Sequence, residues 1–325
     1  MNLLKYEKFY WNQGLELIAG IDEAGRGPLA GPVVAASVII DDKFDLTDIN
    51  DSKKLSPKKR EKLYHKIIQD AIDVSIGIAH EYEIDKVNIL NATFLAMKRA
   101  VGNMKKRPEQ LLIDGPHTDI KLIPVKNIIS GDSKSASIAA ASIIAKVTRD
   151  SIMKEYDKIY TQYNFKQHKG YGTKMHIENL IEYKASPIHR KSFKIVKSNM
   201  PTISYYIENN LFTEVGSNYV GGNYIRNQYS VINKNIQLDQ IGDIVDYLLI
   251  KNDEHLFLKI ITLYNGEKFS LGNTAISEME QYLIHLEDYL IKKELKNDFI
   301  FNVISIEFIK NKKPIINIIH SDTAH

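Results

Sequence analysis

Three short apolar runs in this chain each lead into an acidic residue, with helical patterns between them, and few folds accept that arrangement. Leu15 to Ile21 runs into Asp22 and Glu23, Leu111 to Ile113 into Asp114, and Ile123 to Ile129 is followed by Asp132 in Ser-Gly-Asp-Ser. Runs of this length, bounded by turn residues, read as buried strands. Val33 to Ile40 and the alternating stretch Val74 to Ala79 add two more. Ser56-Pro57 opens a capped helix over Lys58 to Ile68. Val87 to Met104, Ser137 to Tyr156 and Lys174 to Tyr183 carry helical periodicity. Strands alternating with helices make residues 1–200 an α/β domain. Acids just past the C-terminal ends of such strands gather at one sheet edge, where α/β folds place their sites.

Taken singly, each acid reads equally well as a loop carboxylate or a helix cap. Four in the same context read as a metal site, because clustered carboxylates repel one another unless cations neutralise them. The chain has no cysteine, so the ligands are hard oxygens and Mg²⁺ or Mn²⁺ is the matching ion. Two such ions roughly 4 Å apart can activate a water and stabilise the leaving oxygen of a phosphodiester.

Other residues could meet a polyanion. Gly25-Arg26-Gly27 allows close backbone approach beside a guanidinium fork, or is simply a tight turn. Lys53, in Asp51-Ser-Lys-Lys54, could sit on a phosphate or belong to a solvated charge run. Lys146 and Arg149 share a helix face and could contact a backbone or pair with Asp150 and Glu155. Tyr171, between two glycines, could stack on a sugar or base, or close a loop over the core. His168 beside it could relay protons or be structural. The charge distribution favours the polyanion: residues 1–200 carry a net +8 and the remainder −5. Absence of cysteine and of any long apolar run leads to the expectation of a cytoplasmic protein with no membrane segment.

These residues, in this order, resemble the ribonuclease HII family. Gly20-Ile-Asp-Glu-Ala-Gly-Arg-Gly-Pro28, Asp51-Ser-Lys-Lys-Leu55, Ile113-Asp-Gly115, Gly131-Asp-Ser-Lys-Ser135 with Ala139 to Asp150, and His168-Lys-Gly-Tyr-Gly-Thr173 match its successive signatures. The resemblance covers about residues 15–195. It implies an RNase H-like mixed sheet flanked by helices. It implies a ribonuclease H of type 2, cutting RNA in RNA/DNA hybrids and at ribonucleotides embedded in duplex DNA. Asp22, Glu23, Asp114 and Asp132 would be the catalytic, metal-binding acids, with 3′-hydroxyl and 5′-phosphate products. Gly25, Arg26 and Gly27 would read the ribose 2′-OH and Tyr171 would stack at the RNA–DNA junction. The related ribonuclease HIII carries a domain before the nuclease, whereas about a dozen residues precede the first strand here, which favours HII. A hybrid-binding module without catalysis and another RNase H-like nuclease, such as a resolvase, are the competing readings. The intact acids oppose the first. The Gly-Arg-Gly run with Tyr171 opposes the second.

Asn199 to Gly222, with Pro201, several Asn and Gly221-Gly222, reads as a boundary. Residues 213–325 then form a smaller α/β domain: strands over Ile244 to Ile250, Leu256 to Leu263 and Ile300 to Ile309, a helix over Ser277 to Lys292, and a last apolar run at Ile315 to Ile319. This part resembles the YraN family of restriction-endonuclease-like proteins in the run Asn227 to Asn235, in Asp246, and in Leu256 to Thr262. Where that family has acids, Ser217, Ile244 (or, under a shifted alignment, Asp243) and Lys259 stand, and its lysine falls on Ile261. A site that has lost its carboxylates cannot hold an ion. The expectation is a non-catalytic accessory domain whose net negative charge suits a protein-contact role.

Overall fold

The computed structural model describes residues 3–47, 49, 55–121, 123–238, 244–264, 285–286, 289, 292, 299–309 and 312–324. The chain forms two compact units, residues 1–154 with 165–200, and residues 155–164 with 201–325.

The first unit begins with helix α1 (Lys5–Trp11), then β1 (Ile18–Ala24), β2 (Val33–Ile39), α2 (Pro57–Asp70), β3 (Asp73–Ala79), α3 (Glu81–Gly102), β4 (Gln110–Asp114), β5 (Val125–Ile128) and α4 (Ala136–Ile159), whose residues 155–159 count with the second unit. The short α5 (Phe165–His168), then α6 (Lys174–Tyr183) and α7 (Lys194–Lys197), complete it. The strands lie in the order β3-β2-β1-β4-β5. β1 pairs antiparallel with β2 and parallel with β4, so the sheet is mixed. Side chains alternate across it, as strand geometry requires. Ala36 and Val38 of β2 pack on one face with Leu63 and Ile67 of α2 and the buried Ala139, Ala140 and Ala145 of α4. Val33, Ala35 and Ile39 pack on the other with Ala92, Ala96 and Met97 of α3. Helices thus cover both faces, as expected. Ser56 caps α2 through its hydroxyl, which accepts from the Lys59 N–H.

Asp22 and Glu23 do not follow their strand; they lie inside it, opposite Ala36 and Ala35 of β2. The β1–β2 ladder continues past the apolar run because the partner strand supplies hydrogen bonds there, which hydrophobicity cannot reveal. Parallel pairing of Ile21 with Ile113 sets Asp22 next to Asp114, the last residue of β4.

In the second unit, α8 (Ile203–Glu208) and α9 (Phe212–Arg226) precede β6 (Ser230–Gln237), β7 (Ile244–Lys251), β8 (Glu254–Tyr264), β9 (Phe299–Phe308) and β10 (Ile315–Ala324). The sheet order is β10-β9-β8-β7-β6, with β8 and β9 parallel and the other pairs antiparallel. The stretch expected as a boundary is therefore largely helical, and β6 was not anticipated as a strand. Gly221 misled because it is no turn residue here: a Cβ at that position would lie 2.8 Å from the Tyr247 ring, so it is selected for close packing. The helix expected over Ser277 to Lys292 lies mostly outside the described residues, although Leu286 and Tyr289 pack against the core of Phe257, Phe299 and Phe301.

Candidate active site

Asp22 is 5% exposed. Burial, and then the neighbouring Glu23 and Asp114 carboxylates, hold its pKa well above the ordinary value, against hydrogen bonds from the Ser142 hydroxyl and the Glu23 N–H. Asp114 Oδ1 accepts from the Gly131 N–H at 2.6 Å, and Gly131 opens the single helical turn that carries the buried Asp132. The four acids of the sequence thus come from two adjacent strands and one turn tied to them. Like charges pressing on a buried carboxylate, with oxygen donors only, fit a hard divalent cation. In this arrangement their oxygens face internal donors: the Glu23 N–H on Asp22 (2.7 Å), the Gly131 N–H on Asp114, and Arg26 on Glu23 (3.3 Å). Among the described residues no three such side chains already close around one ion.

The Gly25–Pro32 loop runs from β1 to β2. Gly25 has φ +103°, and a Cβ there would overlap the Arg149 side chain at 2.1 Å. Arg149 was expected on the substrate; the structure places it elsewhere. It is fully buried, with Nε donating to Pro32 O (2.9 Å), and its two terminal nitrogens to Ala30 O (3.1 Å) and Lys169 O (3.0 Å). A guanidinium so committed supports the loop rather than reaching a nucleic acid. Beside it, Tyr171 is 41% exposed. Its ring centroid lies 5.7 Å from Lys146 Nζ and 5.8 Å from Arg149 Cζ. A Cβ on Gly27 would approach the Tyr171 ring to 3.7 Å. The fold therefore joins the glycine loop, Tyr171 and Lys146 at one place, and Arg26 links that place to Glu23. Lys53 lies outside the described residues.

The sequence profile described as Ribonuclease HII matches residues 19–196, over half the chain. The chain belongs to the ribonuclease HII family. It is 53% identical over 196 residues to the ribonuclease HII of Ligilactobacillus salivarius, covering 60% of this chain and 76% of that protein. It is 56% identical over 197 residues to that of Caldanaerobacter subterraneus, covering 59% and 80%. The crystal structure of the ribonuclease H2 from Pyrococcus horikoshii aligns at TM-score 0.50 and 29% identity, over 56% of this chain and 95% of that one.

Three features of this ribonuclease HII escape a reading of its sequence. Arg190 is fully buried. Its Nε donates to Gly31 O (3.0 Å), and its terminal nitrogens to Arg26 O (2.8 Å), Gly25 O (2.5 Å) and Pro32 O (3.2 Å). Burial draws the pKa values of Arg149 and Arg190 down to about 10 and about 9, so both stay charged at neutral pH. Glu7 of α1 is fully buried. Its Oε1 accepts from the hydroxyls of Ser135 (2.5 Å) and Ser137 (2.7 Å) and from the Ser137 N–H (3.0 Å), at the start of α4 just after Asp132. The third feature is a set of stacked histidines behind Tyr171. His189 Nδ1 accepts from the Ser186 N–H (3.0 Å), which places its proton on Nε2. That Nε2–H donates to His176 Nε2 (3.0 Å), and His176 Nδ1–H donates to Tyr171 O (2.9 Å). His168 stacks on His176 at 4.3 Å. Burial, and then His168, pull His176 down to about 4, so the relay is neutral and structural at physiological pH.

In the second unit, Asp246 Oδ2 accepts from the Ile260 N–H at 2.9 Å. Burial raises its pKa, while the Lys259 ammonium, the Ser217 hydroxyl and the Lys234 ammonium pull the other way. Ser217 and Lys259 thus lie near Asp246. Among the described residues no helix is long and apolar enough to cross a membrane.

Proposed function

We propose that this ribonuclease HII is an endonuclease that hydrolyses the RNA strand of RNA/DNA hybrids and cuts at ribonucleotides embedded in duplex DNA, leaving 3′-hydroxyl and 5′-phosphate ends. The observation that carries this reading is the meeting of Gly27 with the exposed Tyr171, in a loop that Arg26 ties to the carboxylate cluster. Backbone of Gly25, Arg26 and Gly27 approaches the ribose and tests for the 2′-OH, the group by which RNA is told from DNA. Tyr171 stacks on the neighbouring sugar or base, and Lys146 and Lys53 meet phosphates. Arg149 and Arg190 act through the loop they hold. Asp22, Glu23, Asp114 and Asp132 would hold Mg²⁺ or Mn²⁺. Bound there, such ions polarise the phosphoryl oxygens and lower the pKa of a water. The carboxylates' own part is to keep that charge fixed against the scissile phosphate.

We read the second unit as a non-catalytic module for protein contacts, supported by Lys259 and Ser217 standing near Asp246 and by the net negative charge of residues 201–325. The cysteine-free chain suits a reducing compartment such as the cytoplasm.

The deciding experiment compares a duplex bearing one ribonucleotide with the same duplex in all DNA, using wild type and Asp22→Asn. Wild type should cut only the first, and Asp22→Asn should bind it without cutting. Equal cutting of both duplexes, or wild-type activity in Asp22→Asn, overturns the assignment. Metal-dependent nicking of plain DNA by full-length Asp22→Asn would refute the non-catalytic reading of the second unit.

A further inference from the structure

Helices α2 and α4 form the walls of a groove of about 660 Å³, which Lys169 and Tyr171 also line. Its lining holds four cations, Arg60, Lys146, Lys154 and Lys169, against two carboxylates, Glu61 and Asp150. Lys146, Asp150 and Lys154 recur at every fourth position, so α4 presents them on one face. Arg60 and Tyr64 do the same from α2. Two of the cations are held in place: Asp150 pairs with Lys146 at 2.8 Å and faces Arg60 at 3.8 Å, and Arg60 also donates to Leu55 O at 2.9 Å. Lys154 and His65 are exposed along the groove.

We infer that this groove is a second binding site of the nuclease, a track for the phosphodiester backbone of duplex nucleic acid leaving Tyr171. Three observations carry it. The groove is continuous with Tyr171, whose ring lies 5.7 Å from Lys146 Nζ, so a strand stacked there is already at its mouth. Its charge is net positive and mounted on two rigid helices. Its length suits a polymer: from Lys146 to Lys154 the helix advances about 12 Å, far enough to meet consecutive phosphates of one duplex strand rather than a single one. A lone phosphate ligand would need the cations to converge on one point instead. The inference rests on the proposed nuclease function only in taking Tyr171 as the place where the duplex is met.

The test is equilibrium binding of full-length protein, in EDTA, to a fluorescent duplex with one central ribonucleotide, across a salt series. Lys154→Glu should weaken binding on the order of tenfold at low salt and reduce the slope of log Kd against log salt by about one. Glu61→Lys should tighten binding and steepen that slope. Lys98→Glu makes the same charge change on α3, whose core packing is on the other face of the sheet, and should leave both unchanged. Shortening the duplex stepwise from one end, and not from the other, should erase the Lys154 and Glu61 effects. Wild-type affinity and slope in both groove variants, or equal effects from Lys98→Glu, overturn the track. The two readings fail separately. A protein that shows the groove effects yet cuts no ribonucleotide duplex keeps the track and loses the nuclease assignment. One that cuts with neutral groove variants does the reverse.

Discussion

Replacing Arg190 by lysine should loosen the loop that carries Gly25, Arg26 and Gly27. Arg190 makes four hydrogen bonds to carbonyls of Gly25, Arg26, Gly31 and Pro32, and it is fully buried. Arg149 also donates to Pro32 O, but the other three carbonyls are held by Arg190. A lysine ammonium is a point donor on a flexible stem and can reach one or two of them, not a planar set. With each charge-assisted bond worth about 1.5–3 kcal/mol net, losing two or more costs roughly 3–5 kcal/mol. Part of that falls on global stability and part on loop order. Thermal melts should show a drop of about 10 °C for the nuclease unit. Kinetics on a single-ribonucleotide duplex at a temperature where the variant is folded should show a loss of about 100-fold in kcat/KM. Cutting of a hybrid with a continuous RNA strand should suffer less, since many ribose hydroxyls are then offered. If Arg190→Lys melts and cuts like wild type, the loop holds itself and the clamp argument is wrong.

Three further outcomes follow from the same geometry. The pKa of Asp22 is raised on folding, so its contribution to stability is present at low pH and is lost as pH rises from the unfolded value through the folded one. Asp22→Asn should therefore melt higher than wild type in EDTA at pH 7, and Mn²⁺ should stabilise only wild type; a lower melt for the variant contradicts this. His176 is depressed to about 4, so the unfolded state takes up its proton first as pH falls below 6.5, and about 3 kcal/mol of stability drains away between pH 6.5 and 4. Urea titrations should show a shallower acid loss in His176→Asn than in wild type, and parallel curves would refute it. Glu7→Leu strips three hydrogen bonds from the start of α4 and should destabilise by about 3 kcal/mol. Glu7→Gln, which keeps an acceptor, should recover part of it in the same denaturation assay.

Much of this protein is local information, and there the chain can be read directly. Apolar runs of strand length, the Ser56-Pro57 helix start and the alanine-rich face of α4 specify their elements through period and capping alone, and they appear where expected. The candidate acids were legible for the same reason, since charge beside a buried strand is chemically conspicuous. Arg190 was not: between His189 and Lys191 it looks like one more solvated cation. Glu7, between Lys5 and Lys8, looks like an exposed helix charge. Arg149 suggested a phosphate contact and proved to be a buried support. Burial and partners separated by more than a hundred residues exist only once the chain has closed on itself. Tertiary structure alone decided that Gly27 meets Tyr171, that Asp22 is pressed by Asp114, and that the glycines of α9 serve packing rather than a turn. Sequence determines which groups are available and how each segment repeats. Closure determines which of those groups lose water, and in losing it become either site or scaffold.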